Sequence, residues 1–345
     1  MSRTLLLAAT TLLLAGCSGT SRYVEEATRA IDEELYRAHV ATLASDEFEG
    51  RAPGSAGERK TVEYLEKEFL ALGLKPVGAG FRQSVPLVEI TAVPAQARLG
   101  FSGGGRQVEL ALGDDMVVGT RRVEPASAIE GSEVVFVGYG VVAPEYGWND
   151  YAGLDMRGKT ALILVNDPGF GSGDPELFRG RAMTYYGRWT YKYEEAARQG
   201  AAAAIIVHQT EPAAYPWDVA RNSWTGPQFW AEAPDGNAKA LALEAWITEA
   251  RARELLAMAG EDLDALQKAA LVRGFRGKPL GVTASGGVRN LIRRASSPNI
   301  AGYFPGRDRA EEYVVYMAHW DHLGKGLALA GDTIYNGAVD NATGV

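Results

Sequence analysis

The sequence predicts an α/β fold, and three observations lead there. Short apolar runs bounded by glycine, at 133–140, 159–165 and 203–208, read as buried strands, and 191–199 between the last two reads as a helix. Two amphipathic stretches near the amino terminus read as helices that cover a sheet. A further apolar run, Tyr313-Val314-Val315-Tyr316-Met317-Ala318, reads as a central strand buried on both faces.

Taken in order, the chain begins with Arg3 and an apolar stretch from Leu5 to Leu14, followed by Ala15, Gly16 and Cys17. Residues 1–16 read as an export signal, too short to span a bilayer as a helix of about 20 residues. A cysteine after two small residues resembles the bacterial lipobox, in which Cys17 takes lipid and becomes the mature amino terminus. An ordinary signal peptide with an incidental cysteine is the alternative. Residues 17–23 then form a flexible tether, and Ser18 after the cysteine points to the outer membrane. Cys17 is the single cysteine, so the fold is stabilised by its core and not by a disulfide.

From 24 to about 45, Ile31, Leu35 and Leu43 recur at helical spacing. After the loop Glu49-Gly50-Arg51-Ala52-Pro53-Gly54, Ser55 and Glu58 form a capping-box pattern. The helix they start carries Val62, Leu65, Phe69 and Leu72 on one face and ends near Gly73. Residues 80–115, broken by Gly103-Gly104-Gly105, suggest a hairpin. A charged helical stretch is expected over 241–271, and a strand at 299–304. Trp217, Trp224 and Trp230 either pack or present a surface.

At 345 residues the chain suits two domains, and 46% hydrophobic with 23% charged residues is a globular composition. A net charge of −8 argues against a nucleic-acid partner.

Ligands of open α/β sheets bind beyond the carboxyl ends of strands. There the 313–318 run leads into His319-Trp320-Asp321-His322-Leu323-Gly324. On a strand His319 and Asp321 project to one side, and a metal-binding histidine needs a group to hold its ring. Asp340 lies in the small-residue loop Asn336-Gly337-Ala338-Val339-Asp340-Asn341-Ala342-Thr343-Gly344. By themselves these residues fit a structural histidine and a turn aspartate better than a metal site.

The whole string says more. AHWDHLG followed by DTIYNGAVDNATG closely resembles the metal-binding segment of the di-zinc aminopeptidase family, peptidase family M28, which also includes glutamate carboxypeptidases. ASDEFEGRAPGSAGERKTVEYLEKEFLALGLKP is similar to that family's amino-terminal helices. VVFVGYGVVAPEYGWNDY and LDMRGKTALILV resemble the protease-associated domain inserted in many members.

The resemblance implies a mixed-sheet, phosphorylase/hydrolase-like zinc exopeptidase sandwich with an inserted protease-associated α/β domain. Residues 24–115 and 281–345 would form the peptidase domain, and 116–280 the insert. It implies two zinc ions and a peptide substrate. His319 would ligate one ion, Asp340 would bridge both, and Asp321 would be the catalytic-site carboxylate that orients His319. His322 falls within the motif as a structural residue, and His39 and His208 read as structural too.

The family's glutamate base and remaining ligands would lie beyond Val345, so the expectation is an incomplete sandwich, part of a longer gene product. Glu311-Glu312, at the start of the 313–318 run, is too far from its end to substitute. Two alternatives follow from the same residues: a non-catalytic receptor-like surface lipoprotein, and a cyclising acyltransferase sharing the ligands.

Overall fold

The computed structural model describes residues 24–345. The export signal 1–16, the lipidation of Cys17 and the tether 17–23 lie outside the described residues. Within the described residues no helix is long and apolar enough to cross a membrane. The chain divides into two compact units, one formed by residues to Phe81 together with Gly302–Val345, the other by Arg82–Ala301.

The Arg82–Ala301 unit is built on a ten-stranded mixed sheet. Strands Thr160–Leu164, Ala203–His208 and Leu243–Thr248 run parallel to one another, and Ala126–Phe136 is parallel to the first of them. Their side chains alternate between two cores. Leu162, Leu164, Ile205, Val207 and Ile247 face one cluster, and Ala161, Ile163, Ala204, Ile206 and Trp246 face the other. Burial on both faces explains why these strands are continuous apolar runs. Helix Trp189–Arg198 covers one face through Tyr193 and Ala196. Helices Glu249–Met258 and Leu263–Ala270 cover the other through Leu255, Leu256, Leu263 and Leu266.

The strand Lys278–Ile300 pairs antiparallel with Arg82–Ala92 along one stretch and with Ala126–Phe136 along another. This pairing makes the compact unit wider than the expected 116–280 on both sides. The expected hairpin is present as Arg98–Gly103 paired with Arg106–Glu109.

The helix expected over 241–271 is corrected. Its first part is the buried strand 243–248, and only 249–258 and 263–270 are helical. Alanine, leucine and glutamate favour a helix there, but parallel pairing with 203–208 overrides propensity. The charge of Glu244 inside this strand is met by Arg121 at 2.7 Å. Trp217 and Trp224 pack against the core, and Trp230 lies beneath the Arg121 guanidinium. His208 is buried, its Nε2 on the Tyr215 carbonyl.

Lys192 is fully buried in helix 189–198, and its Nζ donates to the carbonyls of Tyr139 and Tyr186, each at 2.6 Å. Burial lowers its pKa, and the carboxylates of Asp150 and Asp167 oppose that. Both carboxylates accept only N–H and O–H donors. Asp150 takes those of Val141 and Trp148, and Asp167 takes those of Gly169 and Thr184. The ammonium thus fastens two loops to the helix and supplies the only cation these buried carboxylates are seen to face.

The other unit is smaller and more irregular. Residues 24–29 are helical, and a new helix, Glu33–Leu43, starts at Asp32, whose carboxylate accepts the amide of Leu35. This cap breaks the single helix expected over 24–45, and Ile31 and Leu35 are exposed while Leu43 is buried. Helix Ala56–Ala71 follows, with Ser55 Oγ accepting from Glu58 N and Glu58 returning a bond to Gly54 N. Val62 and Leu65 are buried as expected; Leu72 is exposed. His39 packs edge-on to Tyr64, in keeping with a structural role.

The central strand expected at 313–318 does not form. Tyr313 through Met317 join no sheet and are exposed, Tyr316 by 92% and Met317 by 90%. Among the described residues the ladders in this unit are Lys75–Pro76 with Gly302–Tyr303, and the hairpin Gly324–Leu329 with Asp332–Tyr335. Among the described residues no strand lies beside 313–318, so its backbone has nothing to pair with.

Gly50 holds a positive φ of 68°, and a Cβ there would meet the carbonyl oxygens of Gly324 and, at 2.6 Å, of Tyr335. Only glycine allows that close approach.

Two outcomes follow. Lys192→Met should destabilise the protein by about 3 kcal/mol, because it strands two buried carboxylates without a cation. A loss below about 1 kcal/mol in urea unfolding would show that those groups are neutral in the fold. Gly50→Ala should cost about 2 kcal/mol from steric conflict and left-handed backbone, measured the same way, and an unchanged midpoint would refute the tight approach.

Candidate metal site

His319, Asp321, His322 and Asp340 come together in the unit formed by residues to 81 and 302–345. The segment 319–322 leads into the strand at Gly324, and the hairpin that follows returns the chain at Tyr335 to the loop bearing Asp340. A short hairpin thus closes the sequence distance between His319 and Asp340.

The His319 ring is held from behind. Its Nδ1 lies 3.0 Å from the Asp321 carbonyl oxygen and 3.3 Å from Asp321 Oδ1. A carbonyl can only accept, so Nδ1 carries the proton and Nε2 is left with its lone pair. That Nε2 faces Asp340 Oδ1 at 3.2 Å. A lone pair and a carboxylate oxygen at this distance repel unless a cation lies between them, either a proton or a metal ion. Two donors on one tetrahedral zinc, each about 2.0–2.1 Å from it, sit roughly 3.3 Å apart. The observed separation suits that arrangement. Both side chains are exposed, His319 by 54% and Asp340 by 69%, so an ion and a substrate could reach them.

His322 approaches the other Asp340 oxygen, with Nδ1 at 3.6 Å from Oδ2, too far for a hydrogen bond. Burial lowers its pKa, and Asp340 opposes this. Its ring packs on Gly337, where a Cβ would meet His322 Cδ2 at 2.6 Å; Gly337 also has φ 61°. His322 therefore has a packing role at the base of the loop.

Among the described residues, no group of three or more histidine, cysteine, aspartate or glutamate side chains forms a metal-holding set. His319 and Asp340 fit two positions around an ion, with Asp321 behind them. The glutamates Glu311 and Glu312 are exposed and take no part in the cluster.

Sequence reasoning passed over Arg51. It is 1% exposed and donates to the carbonyls of Leu43, Trp320, Asn336 and Gly337. Burial lowers its pKa, while the charges of Asp321 and Asp340 raise it. The only signal was an arginine beside glycine in a loop, and nothing in that pattern distinguishes a buried arginine from a solvated one. Asn336 adds a second tie, its Nδ2 donating to Asp46 Oδ1 at 2.8 Å.

Residues 299–345 match the family described as Peptidase family M28. Among solved structures, the chain is similar to the aminopeptidase from Aneurinibacillus sp. strain AM-1, with 21% identity and a TM-score of 0.39, covering 92% of this chain and 57% of that one. It is similar also to BSAP, a zinc aminopeptidase from Bacillus subtilis, with 16% identity and a TM-score of 0.29, covering 90% of this chain and 54% of that one. The chain therefore spans about half the length of these two proteins. No curated protein matches it. His319, Asp321 and Asp340 all lie within the residues that match this family.

Proposed function

We propose that this chain is the ligand-bearing part of a zinc-dependent exopeptidase that removes amino-terminal residues from peptides outside the cytoplasm. The opposition of His319 Nε2 and Asp340 Oδ1 at 3.2 Å carries the reading, because that pair is arranged to share a cation. The family match over 299–345 supports peptide substrates, and zinc is what the resemblance of the His319–Asp340 segment implies.

In this reading His319 and Asp340 would hold zinc, and further ligands would be needed to complete its coordination. Zinc supplies a Lewis acid and an acidified water. Asp321 keeps the proton on His319 Nδ1 and so leaves Nε2 free for the ion. Gly337 and His322 hold the Asp340 loop in place. The module around 116–280 is read as a protease-associated insert. Export through residues 1–16 and lipid on Cys17 would anchor the enzyme at a membrane facing its substrates, since stable anchoring needs more than one acyl chain.

A receptor-like surface protein is the second reading, favoured by the incomplete ligand set among the described residues. Metal content separates the two, since a receptor has no need of zinc.

The full-length polypeptide should hydrolyse aminoacyl anilides, lose activity to a chelator and regain it with zinc. His319→Ala and Asp340→Ala should each reduce hydrolysis to background and lower bound zinc. Asp321→Ala should weaken zinc by about tenfold, the low end of the range for such supporting groups, because the backbone carbonyl remains on His319. Full activity in both ligand variants would rule out this site.

A further inference from the structure

We propose that Arg51 is a positioning residue of the metal site, its guanidinium setting the spacing of the two loops that carry His319 and Asp340. This rests on the zinc reading above and adds a residue far outside the 299–345 segment.

The geometry is specific. Nε donates to the Trp320 carbonyl at 2.8 Å, one residue after His319. Nη1 donates to the Asn336 carbonyl at 2.7 Å and to that of Leu43, and Nη2 to the Gly337 carbonyl at 2.8 Å. The carbonyl of Arg51 itself accepts from His322 N at 3.3 Å. One residue thus joins both flanks of the site, its guanidinium reaching 320 on the histidine side and 336 and 337 on the aspartate side, and its backbone carbonyl reaching 322. No carboxylate bonds to it, and Asp321 and Asp340 act on it only through their charge.

The backbone that delivers this side chain is strained. Glu49, Gly50 and Arg51 have φ of 50°, 68° and 55° in succession, and two of them are not glycine. Such residues cost of order 1–3 kcal/mol each and persist where the surroundings hold them. A cation beside a cation site would by charge alone weaken metal binding. Arg51 therefore contributes through its fork of donors at fixed angles, which an ammonium on a flexible stem cannot reproduce.

The test is calorimetric titration of the full-length protein with zinc alone, comparing wild type with Arg51→Lys and Arg51→Met. Circular dichroism reports folding, and the visible absorption of the cobalt-loaded forms reports ligand geometry. Both variants should bind zinc at least about tenfold more weakly, with an altered cobalt spectrum and native helix content. Lysine should rescue no better than methionine. Zinc affinity in Arg51→Lys within twofold of wild type, or tighter binding by Arg51→Met, would overturn the proposal. So would loss of helix content in Arg51→Lys, which would make Arg51 a support of the whole unit. A wild-type protein that takes up no zinc overturns this proposal together with the enzymatic reading, whereas normal wild-type uptake with unimpaired variants overturns this one alone.

Discussion

The carbonyls of Leu43, Trp320, Asn336 and Gly337, gathered on the Arg51 guanidinium, are the constraint around which the candidate site is arranged. The segments at 43–52, 319–323 and 336–340 comprise a helix end, short irregular helical turns and loops, and their polar backbone needs donors where water is kept away. A guanidinium is the side chain best suited to that task, with five donors and no acceptor of its own. Arg51 satisfies carbonyls from three segments at once. Gly50 and Gly337 make the required approach possible by having no Cβ. The residues that confront a cation, His319 and Asp340, then sit at the ends of loops whose backbone is already fixed.

The two units treat charge differently. In the Arg82–Ala301 unit, Lys192, Asp150 and Asp167 are buried and face one another or their own hydrogen-bond partners. Glu244 is likewise met by Arg121. Such groups are complete and have nothing left to offer a ligand. Around His319 the ring nitrogen Nε2 and the Asp340 carboxylate face each other at 3.2 Å, and both side chains are open to solvent.

The parts of the fold that the sequence made legible are those buried on two faces. At 160–164 and 203–208 every side chain is buried, so composition alone marks the strand. At 243–247 the same burial holds, but Glu244 and strong helix formers disguised it, and parallel pairing with 203–208 decides the conformation. The capping pattern of Ser55 and Glu58 was legible because it depends on local bonds. The candidate site was legible in part. His319, Asp321 and Asp340 stood out through the motif, while Arg51 did not, since its partners are backbone carbonyls distant in sequence and leave no pattern in residue types.

The apolar run at 313–317 shows what the motif does not carry. Its composition is that of an interior strand, yet its side chains lie exposed, and among the described residues it joins no sheet. A strand ladder would fix the direction from which His319 enters the site; here nothing upstream of His319 does so. Restraint comes instead from downstream, through the Trp320 carbonyl and the His322 amide on Arg51, and through Asp321 on the ring. A site held from one side relies more heavily on each bond of that side. That is the physical reason an arginine far from the ligand motif can matter to the metal as much as a residue inside it.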